Sequence, residues 1–296
     1  MHRTKNIALY LMTYKGLKVL VGIVENNLID QLNYVCIGRD KNVENDYSKE
    51  IEEICIKFGI NYFFNNVKNT IIHKGYFIAI SWRWIIKAPN PIIVLHDSLL
   101  PKYRGFAPLV NSLKNGENQI GVTALIANDD FDTGPIIMKE AISINYPIKI
   151  NEAIQIISSL YSKIVSSLFI LLGNETEIKA IPQDDDEATY SLWLDDKDYT
   201  INWSLDSYSI LRFIDALGFP YLGARTKFGD KEIIILEAEI CNDIKIVNRE
   251  PGKVVFMKDG KPIVVCGIGL LKIINAIEVE TRKSIFPLTK FRIRFL

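Results

Sequence analysis

Short apolar runs, each closed by a turn signal, alternate through most of the chain with stretches whose apolar residues fall three and four positions apart. Residues 6–12, 32–37, 60–64, 76–80, 92–95 and 121–127 are such runs, apolar enough to read as strands buried on both faces. Between them, a turn at 13–16 leads into a helix to about residue 25. Ile51, Ile54, Cys55 and Phe58 put a second helix over 47–58, with Asn45-Asp46 as its cap. Residues 106–113 read as a third helix. Asn151 caps a long amphipathic helix to 172, which Gly173-Asn174 stops and which holds no charged constellation. Strands alternating with helices specify an α/β fold with a doubly wound, mostly parallel sheet.

The pattern changes at 175–187. Asp184-Asp185-Asp186-Glu187 is a solvated acidic run that reads as a linker. Beyond it, strands at 231–237, 253–257 and 262–266 are separated by Gly, Asp and Pro turns, with Asp259-Gly260 as a hairpin signal. Two domains follow, 1–183 and 188–296, the second smaller and strand-rich.

Charge and cysteine usage narrow the function. Lys+Arg and Asp+Glu are both 35, so the formal net charge is zero. That weighs against non-specific nucleic-acid binding, which needs clustered positive charge. Cys36, Cys55, Cys241 and Cys266 lie far apart in apolar contexts without metal-ligand spacing, as buried core thiols do. The apolar stretch 7–12 is too short for a signal or membrane segment. A cytoplasmic location without membrane contact or metal is the expectation. Neither G-x-G-x-x-G nor a Walker lysine motif occurs, which removes the usual dinucleotide and P-loop devices.

Candidate chemistry begins where the 92–95 run ends. His96 emerges there, Pro101 breaks the pattern, and Gly105 closes a basic turn, Lys102-Tyr103-Arg104. Ligands of open α/β sheets bind beyond the carboxyl ends of strands, so His96 stands where chemistry is done. Alone it reads equally well as a satisfied histidine at a strand end. Asp132, in the turn Asp129-Asp130-Phe131-Asp132-Thr133-Gly134 after the 121–127 strand, tips the balance.

His96-Asp97-Ser98-Leu99-Leu100-Pro101 with Arg104-Gly105, and the later Asp132-Thr133-Gly134, resemble the 10-formyltetrahydrofolate-dependent formyltransferases acting on glycinamide ribonucleotide, methionyl-tRNA and sugar-nucleotide amines. In that family the run is N-x-H-x-S-L-L-P and the working triad is Asn, His and Asp. The His falls on His96, the Asp on Asp132 and the Asn on Val94. The resemblance implies a Rossmann-like catalytic domain and 10-formyltetrahydrofolate as donor. It also implies a folate wall made by the backbone of Trp84, Ile85 and Ile86 together with Asn128, Asp129 and Asp130. Without it, the Trp84 stretch reads as a short aromatic helix covering the sheet. Residues 190–203, the helix through Arg212, and 219–224 and 251–254 resemble the OB-like C-terminal domain of the methionyl-tRNA and several sugar enzymes, which argues against the single-domain glycinamide ribonucleotide branch.

Formyl transfer to an amine needs a neutral amine, a stabilised oxyanion and a route for the amine proton. His96 is expected to donate to the formyl oxygen. Asp132 is expected to orient the imidazole and hold charge near it, or to take the proton through water; a carboxylate beside a histidine favours imidazolium. Valine at 94 cannot donate, and loss of one oxyanion donor costs about 2.7–4 kcal/mol. Asn90, Asn128 or a bound water is the expected replacement in a working enzyme. The 13–16 turn runs into an apolar helix without the basic insertion expected of a tRNA-binding member. The expected acceptor is therefore a nucleotide-linked amino sugar for surface polysaccharide (lipopolysaccharide O-antigen). Lys102, Tyr103 and Arg104 would meet the sugar or its pyrophosphate, unless Arg104-Gly105 simply shapes the turn. The alternatives are a non-catalytic folate or sugar-nucleotide binding protein and a methionyl-tRNA formyltransferase. An apolar C-terminal sheet makes a homodimer the expected assembly if subunits pair.

Overall fold

The computed structural model describes residues 6–40, 45–66, 73–174, 177–288 and 290–296. The chain divides into two compact units, the first built from 1–108, 119–143 and 154–191. There β1 (Ile7–Leu11), α1 (Thr13–Glu25), β2 (Leu32–Ile37), α2 (Ser48–Lys57), β3 (Tyr62–Phe64), β4 (Tyr76–Ile80) and β5 (Ile92–His96) alternate along the chain. The strands pair in parallel in the order β3-β2-β1-β4-β5. The apolar runs of β1, β2 and β4 are buried nearly throughout, as central parallel strands covered on both faces must be, and those of β5 and of the edge strand β3 less so. The expected turn at 13–16 is already helix, since only Met12 separates β1 from α1.

After β6 (Arg104–Gly105) and α3 (Pro108–Asn115), β7 (Gln119–Ile126) extends the sheet antiparallel to β5, and β8 (Ile136–Ser143) pairs antiparallel with β7. The 136–143 strand carries only a three-residue apolar start, Ile136 to Met138, because all of its residues are half-buried or exposed at the sheet edge. α4 (Ile150–Gly173) starts before Asn151, which sits in its first turn rather than capping it. Its length and apolarity would suit a membrane, yet Ala153, Ile157, Tyr161, Ile164, Val165, Leu168, Phe169 and Leu172 are all buried at helical spacing. β9 (Tyr190–Ser191) pairs with β6.

The second unit comprises 109–118, 144–153 and 192–296. α5 (Ser207–Leu217) is capped by Asp206, whose carboxylate accepts from the Ser209 N–H. β10 (Ala224–Phe228), β11 (Lys231–Cys241), β12 (Val254–Lys258), β13 (Lys261–Val265) and β14 (Leu270–Glu278) form an antiparallel sheet in the order β10-β11-β14-β13-β12. Its core joins Ile210 and Ile214 of α5 to Trp203, Ile233, Ile235, Leu271, Ile273 and Phe295. Asp259-Gly260 turns between the paired Lys258 and Lys261. Of the four cysteines, Cys36, Cys55 and Cys266 are buried and burial pushes their thiols up to about 12, whereas Cys241 is half-buried. Fold class and the strand-rich second sheet agree with the sequence reading.

Candidate active site

Ser98-Leu99-Leu100-Pro101 makes a rigid turn from four separate contacts. The Ser98 hydroxyl donates to the Lys102 carbonyl at 2.6 Å. Thr123 of β7 accepts from the Leu100 N–H at 3.1 Å and donates to the Ser98 carbonyl at 2.7 Å. Lys139 of β8 donates to the Leu100 carbonyl. Leu99 lies against Gly121, where a Cβ would come within 2.3 Å of its side chain, so that strand position has room for glycine alone.

This turn brings two groups to His96, which is buried at 7% exposure. His96 Nε2 lies 2.8 Å from the Tyr103 carbonyl. A carbonyl can only accept, so the Nε2 proton is committed to it. Nδ1 faces Asp132 Oδ1 at 3.4 Å. The imidazole nitrogen left to exchange a proton is therefore Nδ1, beside the carboxylate. Asp132 Oδ2 accepts from the Gly105 N–H at 2.9 Å. Tyr103 and Asp132 both have positive φ, 60° and 57°, a conformation that costs a non-glycine residue about 1–3 kcal/mol. Each is held there: Tyr103 donates its N–H to Thr189 Oγ1 at 2.8 Å, and the Asp132 carbonyl accepts from Gln183 Nε2 at 2.7 Å.

Arg104 needs correction as a substrate contact. It is only 1% exposed, and its guanidinium binds Gln183 Oε1 at 3.0 and 3.1 Å and Asp185 at 2.7 Å. Gln183 in turn donates to the carbonyls of Asp132 and Gly134. Arg104 thus orients the amide that holds the Asp132 turn, and Asp185 is its counter-ion rather than part of a free linker. Lys102 alone of the basic turn is exposed. Phe106 and Phe131, 5.9 Å apart and exposed, flank the same turn.

Residues 81–91 form a loop, not the covering helix. It is fastened by Thr13 to Ser81 at 3.3 Å, by Arg83 to the buried Asp40 at 2.7 Å, and by Trp82 standing edge-on to Tyr10 at 4.9 Å. Ile86 and Ala88 pack on Ala8, Tyr34, Cys36 and Phe77, whereas Ile85 is 93% exposed. Among the described residues no hydrogen bond involves the backbone of Trp84, Ile85 or Ile86, and the buried Trp82 indole N–H has no partner. Free backbone groups next to an exposed apolar side chain fit a flat, polar-edged ring such as a pterin. Asn128, Asp129 and Asp130 are exposed after β7.

Val94 shares a strand face with His96. Asn90 is committed elsewhere, holding the carbonyls of Lys74 and Gly75, the latter at 3.0 Å. Asn128 donates one N–H to Thr133 Oγ1 at 2.8 Å.

Fold and site together present an α/β sheet with a buried histidine paired to a carboxylate at its strand ends. The chain belongs to the formyl transferase family: residues 66–163 match its catalytic domain, "Formyl transferase", and 194–288 match "Formyl transferase, C-terminal domain". It is a family of enzymes that use 10-formyltetrahydrofolate. The methionyl-tRNA formyltransferase of Clostridium novyi is 30% identical over 75% of this chain and 72% of its own length. That of Kosmotoga olearia is 32% identical over 60% of this chain, but the match spans only 57% of that relative. In fold, the N-formyltransferase from Helicobacter canadensis, solved with folinic acid and dTDP-3-aminofucose, superimposes with a TM-score of 0.68 at 18% identity, covering 90% of this chain and 98% of that one.

Val94→Asn should then raise the rate. With Asn90 engaged elsewhere, the new amide is expected to supply the donor that valine cannot, bounded by about 10²–10³-fold. Single-turnover formyl transfer measures it, and an unchanged or slower rate would show that another donor already fills the place.

Proposed function

We propose that the protein transfers the formyl group of 10-formyltetrahydrofolate to the amine of a nucleotide-linked amino sugar, in the cytoplasm, for a surface polysaccharide such as lipopolysaccharide O-antigen. The observation that carries the transfer is the convergence of His96 Nδ1 and Asp132 Oδ1 at 3.4 Å. The bound folate supplies an activated formyl carbon. Trp84, Ile85 and Ile86 would hold its ring with Asn128, Asp129 and Asp130. His96 presents its Nδ1 proton to the developing oxyanion, Asp132 steadies the imidazole and accepts the amine proton, and that proton passes on to the folate nitrogen as its bond to the formyl carbon breaks, releasing tetrahydrofolate.

Three features support the sugar acceptor. Net charge is zero, β1 passes into α1 without an insertion, and Lys102 with the Phe106–Phe131 pair offers one cation and two apolar faces, a set suited to a phosphate and a ring. The second reading, formylation of methionyl-tRNA, is the one favoured by the relatives at 30–32% identity. The deciding experiment offers the folate donor with a panel of nucleotide-linked amino sugars and with methionyl-tRNA. Mass spectrometry reads the gain of one formyl group. Formylation of a sugar alone supports the first reading, and formylation of tRNA with a steep salt dependence replaces it by the second. No turnover on any acceptor leaves a binding protein.

A further inference from the structure

Behind the strand end that carries His96 lies a group of charges that the proposed transfer does not use. Asp97 follows His96 directly, and its Oδ2 pairs with the ammonium of Lys15, from the first turn of α1. Its Oδ1 lies 2.5 Å from the hydroxyl of Tyr161, midway along α4, which is also 3.1 Å from the Leu95 carbonyl. Lys15 stands 5.6 Å over the Tyr161 ring as well. Two helices thus grip one peptide segment, residues 95–97, from α1 and from α4.

We propose that Lys15, Asp97 and Tyr161 form a buried, charge-balanced mount that positions His96 and fixes the charge around it, an inference that rests on His96 being the proton-handling group. Stability alone does not account for the cluster. Both side chains of the ion pair are nearly buried, at 16% and 14% exposure, and taking two ions out of water offsets most of their attraction. Burial by itself would raise the Asp97 carboxyl. The Lys15 charge, hydrogen bonds from Lys15 and Tyr161, and the charge of His96 together hold it below its usual value instead. Its contribution is therefore present above the ordinary carboxylate range and lost only as pH falls below it. Burial and the Asp97 charge push the Tyr161 hydroxyl well above its usual value, so it stays a donor.

Asp132, from the turn after β7, and the Tyr103 carbonyl contact the His96 ring, and Asp97 interacts with it through charge. Lys15 of α1 and Tyr161 of α4 reach Asp97, and Lys139 of β8 reaches the Leu100 carbonyl. A carboxylate favours a proton on the ring and a cation opposes one. Asp97 pairs with Lys15, so removing Asp97 alone leaves that ammonium unpaired behind the segment that carries His96.

The test compares the wild-type protein with Asp97→Asn, Lys15→Met/Asp97→Asn and Tyr161→Phe. Asp97→Asn should lower kcat about 10–100-fold with little change in either KM, and move the alkaline limb of the kcat profile to lower pH, the direction expected of an unpaired cation. In the double variant the limb and the Tm should return while kcat stays low, because the charge is balanced again but the anchor is gone. Tyr161→Phe, which keeps every charge, should lower kcat without moving the limb. If Tm and kcat recover together in the double variant, or the limb never moves, the cluster is a structural ion pair and the inference fails. The His96 Cε1–H resonance, titrated by NMR in the same proteins, needs no acceptor. Its midpoint should fall in Asp97→Asn and return in the double variant. A midpoint that does not move overturns the mount even if no acceptor is turned over, whereas absence of wild-type turnover counts only against the proposed function.

Discussion

His96→Asn should lower formyl transfer by about 10²–10⁴-fold, the range of a lost general acid–base group. An asparagine amide reaches only the place of Nδ1, so the Tyr103 carbonyl loses the donor it now has at 2.8 Å, and the turn is held by its own Ser98 and Thr123 contacts. The amide cannot carry a transferable proton at the place of Nδ1, opposite Asp132. Binding of a folate analogue by calorimetry should be nearly unchanged, and single-turnover transfer should collapse. Near-normal transfer by this variant would remove His96 from the chemistry.

Asp132→Asn should be almost as damaging, about 10²–10³-fold, for a different reason. Asparagine keeps the size of the side chain and accepts a positive φ readily, so the 57° backbone and the Gly105 contact survive. The negative charge beside Nδ1 does not. Groups that act as a unit lose activity non-additively, so combining Asp132→Asn with His96→Asn should cost little beyond the worse single variant. Fully multiplicative losses in kcat/KM would mean that the two side chains act independently.

Some of this site was legible because its signals are local. Ile92–His96 is an apolar run closed by a histidine and then a proline-containing turn, and the Asp132 turn follows another apolar run, so both strand ends were readable from hydrophobic pattern and turn chemistry alone. Val94 was readable as a departure only against the N-x-H run of the family it resembles, alternation along the strand adding that it shares a face with His96. Arg104 was misread for the same reason that the strands were found. A basic residue in a turn looks solvated, and nothing nearby in sequence announces Gln183 and Asp185, its partners across the fold. Tyr161 looked like one more residue on the apolar face of α4, and Asp184-Asp185-Asp186-Glu187 looked like a free acidic run.

The sequence by itself determined the alternation of strands and helices, the strand-rich second half, and the two residues on which the chemistry is proposed to turn. These follow from burial periodicity and from residues whose meaning depends on their immediate neighbours. The tertiary structure alone decided the antiparallel edge formed by β7 and β8, the commitment of His96 Nε2 to Tyr103, the removal of Asn90 as a replacement donor, and the clasp of Lys15 and Tyr161 on Asp97. Each joins atoms through hydrogen bonds or charges whose geometry is set by the packing of elements far apart in the chain. A polar side chain does not carry the identity of such a partner in its own sequence neighbourhood.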